Sequence, residues 1–194
     1  METSKDSVNK ETILKESIRL FAVKGYDAVS IQEICEISGI TKPTLYYYFK
    51  SKQGLLKTIT ETKGQQLVSI TEESLIYSHD FIKSLTLVLT NTCRYAIDNP
   101  DYFRLHLNLL SAPNNSDSFI IYTSIKNKIS DIYREFFIRS CTEFGNMRGK
   151  EELYSLLYQS NVNQCILSHL NNTLILNDQN IYQIIHSFIY GVAN

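Results

Sequence analysis

Apolar positions recur along this chain at intervals of three and four residues, the period of a helix with one buried face. The first such segment spans 9–24, with Ile13, Leu14, Ile18, Phe21 and Ala22 on one side. Gly25 follows it and supplies the left-handed residue that commonly closes a helix. Ser30 has Glu33 three residues on, a capping box, and the helix it opens carries Ile31, Ile34, Cys35 and Ile37. That helix stops at Ser38-Gly39, where Gly39 can take positive φ. Thr41 is the next N-cap, with Pro43 inside the first turn, where its missing N–H costs nothing. A short helix follows through Tyr48, and Ser51 caps a fourth that reaches the mid-seventies.

Beyond it the segments lengthen. Asp80 caps a helix with Phe81, Leu85, Leu89, Cys93 and Ala96 in register. Asn99-Pro100 reads as a cap and first-turn proline, starting a helix through about Leu110. Residues 112–116 are a loop, and from 118 to 144 Ile125, Ile129, Ile132, Tyr133, Phe136, Ser140 and Phe144 keep helical spacing until 145–149 break it. Two helices close the chain, over 150–175 and 179–192, the last with Ile181, Ile184, Ile185, Phe188, Ile189 and Val192 on a wide stripe. No Val/Ile/Thr alternation is long enough for a sheet, and no repeat period is visible. The expectation is an all-α fold of about nine helices.

Composition narrows the class. Hydrophobic residues make up 43% of the 194 and charged residues 20%, with 7 Gly and 3 Pro, which excludes a disordered or fibrous chain. No apolar run approaches the roughly 18 residues of a membrane helix, and the first eleven residues lack the apolar core of a secretory signal. The four cysteines, Cys35, Cys93, Cys141 and Cys165, are widely spaced, which fits reduced thiols in a cytosol better than disulfides or zinc. A cytoplasmic protein is expected. There is no H-E-x-x-H, Gly-rich phosphate loop or G-x-S-x-G, and the four histidines form no cluster. The chain reads as neither an enzyme nor a cofactor or metal protein.

The net charge of −1 conceals a local imbalance. Residues 1–57 carry nine Lys+Arg against seven Asp+Glu; residues 37–60 contain Lys42, Lys50, Lys52 and Lys57 and no acid. Such a patch is either a solvated face or a contact for a polyanion. The two short capped helices joined by Ser38-Gly39-Ile40 decide between them, because that spacing is a helix-turn-helix, whose second helix enters the major groove. It would present Thr41, Lys42, Thr44, Tyr46 and Tyr47, with Leu45 and Phe49 turned inward. Hydroxyls and ammonium groups of these types reach phosphates and base edges, and Lys52 adds a charge beside the backbone N–H groups of the fourth helix. The tyrosines have a second reading, as an aromatic plug at the junction with that helix.

The strings ILKESIRLFAVKGYDAVSIQEICEISGI and GITKPTLYYYFKSKQGLL resemble the DNA-reading segment of the TetR family of bacterial transcriptional regulators, over about residues 10–57. The resemblance implies a DNA-binding domain at 1–57 and a helical domain at 58–194 that binds a small effector and dimerises. By position, Ser30, Thr41, Lys42, Thr44, Tyr46, Tyr47 and Lys52 match the family's DNA-contacting places, and Gln32 falls where a polar or basic contact is frequent. Tyr48 departs from the pattern, standing where the family usually has His; its phenol can still donate to a phosphate. The function implied is a repressor that binds palindromic operator DNA and is released by a small molecule. A helical adaptor of the same fold that binds protein in place of DNA is the alternative.

Past residue 57 the reading rests on periodicity and family architecture. The stripes of the last two helices can pair with their copies about a two-fold axis or pack inside one monomer. Phe103, His106, Leu110, Tyr133, Phe137, Cys141, Asn161 and Gln164 lie on helices that the family's architecture would gather around a cavity. Basic residues are few there, which favours an uncharged or cationic aromatic ligand over an anion.

Overall fold

A computed structural model describes residues 4–143 and 147–191. Phe144, Gly145 and Val192, which the periodicity assigns to a helix face, a break and a final stripe, lie outside the described residues. The helices are α1 (Ser4–Lys24), α2 (Ile31–Ser38), α3 (Lys42–Phe49), α4 (Lys52–Ile59), α5 (Gln65–Ser74), α6 (Phe81–Asp98), α7 (Pro100–Leu110), α8 (Asp117–Ser140), α9 (Glu151–Leu170) and α10 (Asp178–Tyr190). A π turn over Thr60–Gly64 joins α4 to α5 without a break, so the described residues form nine helical rods and no strand. The expected all-α architecture is the one observed.

Local chemistry sets most of the boundaries. Ser30, Thr41, Ser51, Asp80 and Asn177 each accept a backbone N–H from the first turn that they cap. The end of α9 differs from expectation: it stops at Leu170 instead of running to 175. Asn172 takes φ +58°, the left-handed region that Asn tolerates better than most residues. The backbone N–H groups of Thr173 and Leu174 then both turn back to the Ser168 carbonyl.

The chain divides into two compact units. The first joins Met1–Gln65 with Pro100–Ile125. Its core gathers Ile13, Phe21, Ile34, Leu45, Leu55 and Leu56 from the head with Tyr102, Phe103 and Leu105 of α7. Phe21 and Tyr26 meet edge to face at 5.1 Å. Side-chain hydrogen bonds join sequence-distant parts of this unit. Asn108 Nδ2 donates to the Ala22 carbonyl at 3.0 Å, and Gln53 Nε2 donates to Asp117 at 3.0 Å. The buried His106 ring is hydrogen-bonded to the Tyr122 hydroxyl.

The second unit holds Gln66–Asn99 and Lys126–Asn194. Aromatic rings fill its interior: Phe81 stacks on Phe136 at 5.4 Å, and Phe188 of α10 lies against Phe137, Tyr154 and Tyr158. Burial holds the Tyr133 and Tyr158 phenols well above the ordinary tyrosine range. Tyr158 still has a partner, its hydroxyl donating to the Leu85 carbonyl at 2.7 Å. Deleting that hydroxyl by Tyr158→Phe is expected to cost about 1 kcal/mol, measured as a lower urea midpoint at unchanged m-value.

Candidate nucleic-acid interface

The interface is built on three capped helix starts in a row. The Ser30 hydroxyl accepts the Glu33 N–H at 3.1 Å, the Thr41 hydroxyl accepts that of Thr44 at 3.4 Å, and Ser51 accepts that of Gly54 at 2.9 Å. Gly39 closes α2 at φ +65°, its N–H reaching the Glu36 carbonyl, while the Ile40 N–H bonds the Cys35 carbonyl. Two local constraints, a cap on one helix and a left-handed glycine on the other, hold α2 and α3 in helix-turn-helix geometry.

Side-chain placement on α3 follows its period. Leu45 is 0% exposed and Phe49 is likewise buried, while Tyr47 is 70% exposed and Lys42, Pro43 and Tyr46 face solvent with it. Thr41 and Thr44 pair through their hydroxyls at 2.9 Å. Tyr48 is half-buried, edge-on to Tyr47 at 5.1 Å and tilted on Phe49 at 6.1 Å. The tyrosines therefore separate: Tyr46 and Tyr47 stand outward, and Tyr48 takes the junction. Ser30 and Gln32 are exposed on α2, where Gln32 Nε2 donates to Glu36 at 2.7 Å.

The four lysines of the acid-free stretch have different commitments. Lys50 donates to the Tyr47 carbonyl at 3.2 Å, and Lys57 pairs with Glu61 at 3.7 Å. Lys52 folds back on the chain, donating to the Asp27 carbonyl at 3.3 Å with its ammonium 4.2 Å from the Tyr26 ring centroid. Partial burial lowers its pKa, against the attraction of Asp27 and Asp117. The Tyr26 phenol is pushed up to about 12, first by burial and then by the same two carboxylates. Lys42 makes no ion pair or hydrogen bond among the described residues. It is exposed at the first position of α3.

Gly54 is a packing constraint that the residue pattern alone does not single out. A Cβ there would lie 2.0 Å from the Phe49 carbonyl oxygen, inside any possible contact distance. Only glycine lets the start of α4 close against the end of α3. A local signal exists, a glycine in the first turn after an N-cap, where nothing about helix propensity calls for one.

The eight residues expected to line a cavity are divided. Phe103 and His106 are buried in the first unit with their rings 5.5 Å apart, and Leu110 is half-buried at the end of α7. Tyr133, Phe137 and Cys141 are buried in the second unit. Asn161 lines a groove of about 530 Å³ between α9 and α10, and Gln164 is exposed, donating to Ser168 at 3.3 Å. Among the described residues no three His, Cys, Asp or Glu side chains are grouped to hold a metal ion.

This geometry defines a helix-turn-helix protein with an outward-facing second helix. Residues 13–59 match the family described as bacterial regulatory proteins, tetR family. A 52-residue stretch is 54% identical to an uncharacterized HTH-type transcriptional regulator, YerO, of Bacillus subtilis (strain 168). That match covers 27% of this chain and 18% of the relative's length. The biofilm operon icaADBC HTH-type negative transcriptional regulator IcaR of Staphylococcus aureus (strain Newman) is 25% identical over 153 residues, 69% of this chain and 74% of that one. Among solved structures, the TetR family transcriptional regulator PfmR from Thermus thermophilus superposes with a TM-score of 0.71 at 22% identity over the whole of both chains. FadR from Bacillus subtilis, solved in complex with stearoyl-CoA, does so at 0.74 and 16% identity over 94% of this chain and 98% of that one. Residues 13–59 thus belong to the tetR family of bacterial regulatory proteins.

Gly54→Ala is expected to destabilise the head by about 3 kcal/mol through the forced separation of α3 and α4. Amide exchange would then accelerate in residues 42–59 before it does in α9, which a stability loss spread evenly over the protein would not produce.

Proposed function

We propose that this chain is a ligand-responsive transcriptional repressor that binds a palindromic operator as a homodimer and lets go when a small organic molecule occupies its larger domain. Residues 1–57 read the DNA; residues 58–194 dimerise and receive the effector. The observation that carries the reading is the solvent face of α3, where Lys42, Tyr46 and Tyr47 stand exposed around an uncommitted ammonium group. An adaptor that had given up DNA would have no use for that set.

Each proposed contact has a physical role. Ser30, Thr41 and Thr44 offer hydroxyls, and Gln32 an amide, to phosphates and base edges. Tyr46 and Tyr47 add phenols at the groove, with Lys42 as point charge. Tyr48 acts chiefly by holding Tyr47 upright. Lys52 contributes field to the phosphates but keeps its ammonium on Tyr26 and Asp27. Such work places the protein with the chromosome in the cytoplasm, and no described helix is long and apolar enough to cross a membrane. The reading assigns no reaction and no cofactor.

Dimerisation rests on α9 and α10. Leu156 is 61% exposed and Leu153 and Leu157 stand beside it on α9, an apolar face too large to leave in water without a use. Pairing two copies there would set the recognition helices about one DNA turn apart, roughly 34–36 Å. Repression is supported by the likeness to a negative regulator, and an organic effector by the stearoyl-CoA complex of a protein with the same fold. Release needs only differential affinity of the effector for a state in which the heads are wrongly spaced. Within the first unit α7 is the natural transmitter, since it packs on α1 and holds the Ala22 carbonyl through Asn108.

Selection of sites from random duplexes is the direct test: enrichment of an inverted repeat is expected, and no enrichment would remove DNA reading. On the selected site, Lys42→Ala is expected to lower the slope of log K against log salt by about one, and Lys52→Ala by clearly less. Leu156→Asp is expected to shift the light-scattering mass toward the 22.4 kDa of one chain; a parent protein already of that mass at every concentration would refute the dimer.

A further inference from the structure

The two faces of α10 have different company. Asn180, Ile184 and Phe188 turn toward the groove shared with α9. On the opposite side Asp178, Tyr182, His186 and Tyr190 fall at every fourth position and form a single stripe. That stripe borders a second groove, of about 440 Å³, between α10 and α6. The volume lies in the range of sites that take small organic molecules.

The chemistry of this groove is selective. Its floor is aliphatic, from Ile82 of α6 and Ile181, Ile185 and Ile189 of α10. Its rim is aromatic: the His186 ring lies 5.8 Å from Tyr182 and 4.6 Å from Tyr190, and the tyrosines are 66% and 52% exposed. Thr86 on the α6 wall has its hydroxyl committed to the Ile82 carbonyl at 2.8 Å, which leaves Thr90 as the other polar side chain of that wall. The lining contains no lysine or arginine, and its one carboxylate, Asp178, has no ion pair or hydrogen-bond partner for its side chain among the described residues. An anion would meet that carboxylate and the negative faces of the rings. A neutral molecule would leave both unused.

We propose that the α6–α10 groove is a binding site for a monovalent organic cation with an apolar body, of the quaternary ammonium type. The charge sits over the Tyr182 face beside Asp178, one helical turn away, and the body lies along the isoleucine floor. This site is separate from the α9 side of α10, so a dimer formed through that side leaves it open. It does not depend on the DNA-reading assignment.

Titration calorimetry of the full chain with benzyltriethylammonium at pH 8 tests it, alongside benzyl alcohol as neutral control and benzylsulfonate as anionic control. Saturable binding of one cation per chain is expected, weakened about fivefold by Asp178→Asn and again by Tyr182→Leu. Both positions are exposed, and unchanged melting temperatures and helical circular dichroism would show the variants intact. In proton NMR the Tyr182, His186 and Tyr190 ring signals are expected to move on saturation. Binding unaffected by both substitutions, equal binding of benzyl alcohol, or no saturable heat up to about 10 mM cation would each overturn the site. None of these results would touch the regulator reading, which stands on α3.

Discussion

The outward aim of α3 depends on a single division of its surface. Leu45 and Phe49, one turn apart, are withdrawn from water, and the exposed side chains of α3 lie on the arc they leave free. Burying two such side chains is worth a few kcal/mol, roughly 1.5–3 each, enough to fix the rotation of an eight-residue helix that has little intrinsic stability of its own. The Thr41 cap fixes where the helix begins, and the absent side chain at Gly54 fixes how closely the next helix abuts its end. Rotation, origin and terminus are thus set by three independent means. A recognition surface needs that redundancy, because a contact displaced by an ångström loses its hydrogen bonds.

What the residue pattern can reveal follows from the range of the interactions involved. Ser30, Thr41, Ser51 and Asp80 are legible as caps because a cap bonds within three residues of itself. The division between Leu45/Phe49 and Tyr46/Tyr47 is legible because helical period alone decides it. Lys52 is different. Nothing near it in sequence announces that Tyr26 and Asp27 will take its ammonium, since they lie on the far side of two helices and a turn. The end of α9 is hidden for another reason: Asn171-Asn172-Thr173 carries neither the glycine nor the proline that usually marks a stop, and the left-handed turn at Asn172 is a weaker signal. Cavity-lining residues are the least legible. Periodicity says that Phe103 and Phe137 face inward, but not whether the inside has room.

The wide apolar stripe of the last helix resolves into several tasks. Ile181 and Ile185 are buried, and Phe188 is wedged among the rings of Phe137, Tyr154 and Tyr158. Ile189 borders a groove with α6, and Ile184 borders one with α9. A helix buried on one face needs a stripe of about 100°. This one has apolar residues well beyond that arc, and the excess is what points to partners outside the fold.

The company kept by the head has a consequence for its portability. Residues 1–65 share their core with a segment that the ribosome adds later, through Tyr102, Phe103 and Leu105. During synthesis α1 to α4 therefore complete their packing only once α7 has emerged. An excised head would lack that part of its core, and a chimaera that transplants residues 1–65 into another scaffold keeps the core whole by carrying residues 100–125 along.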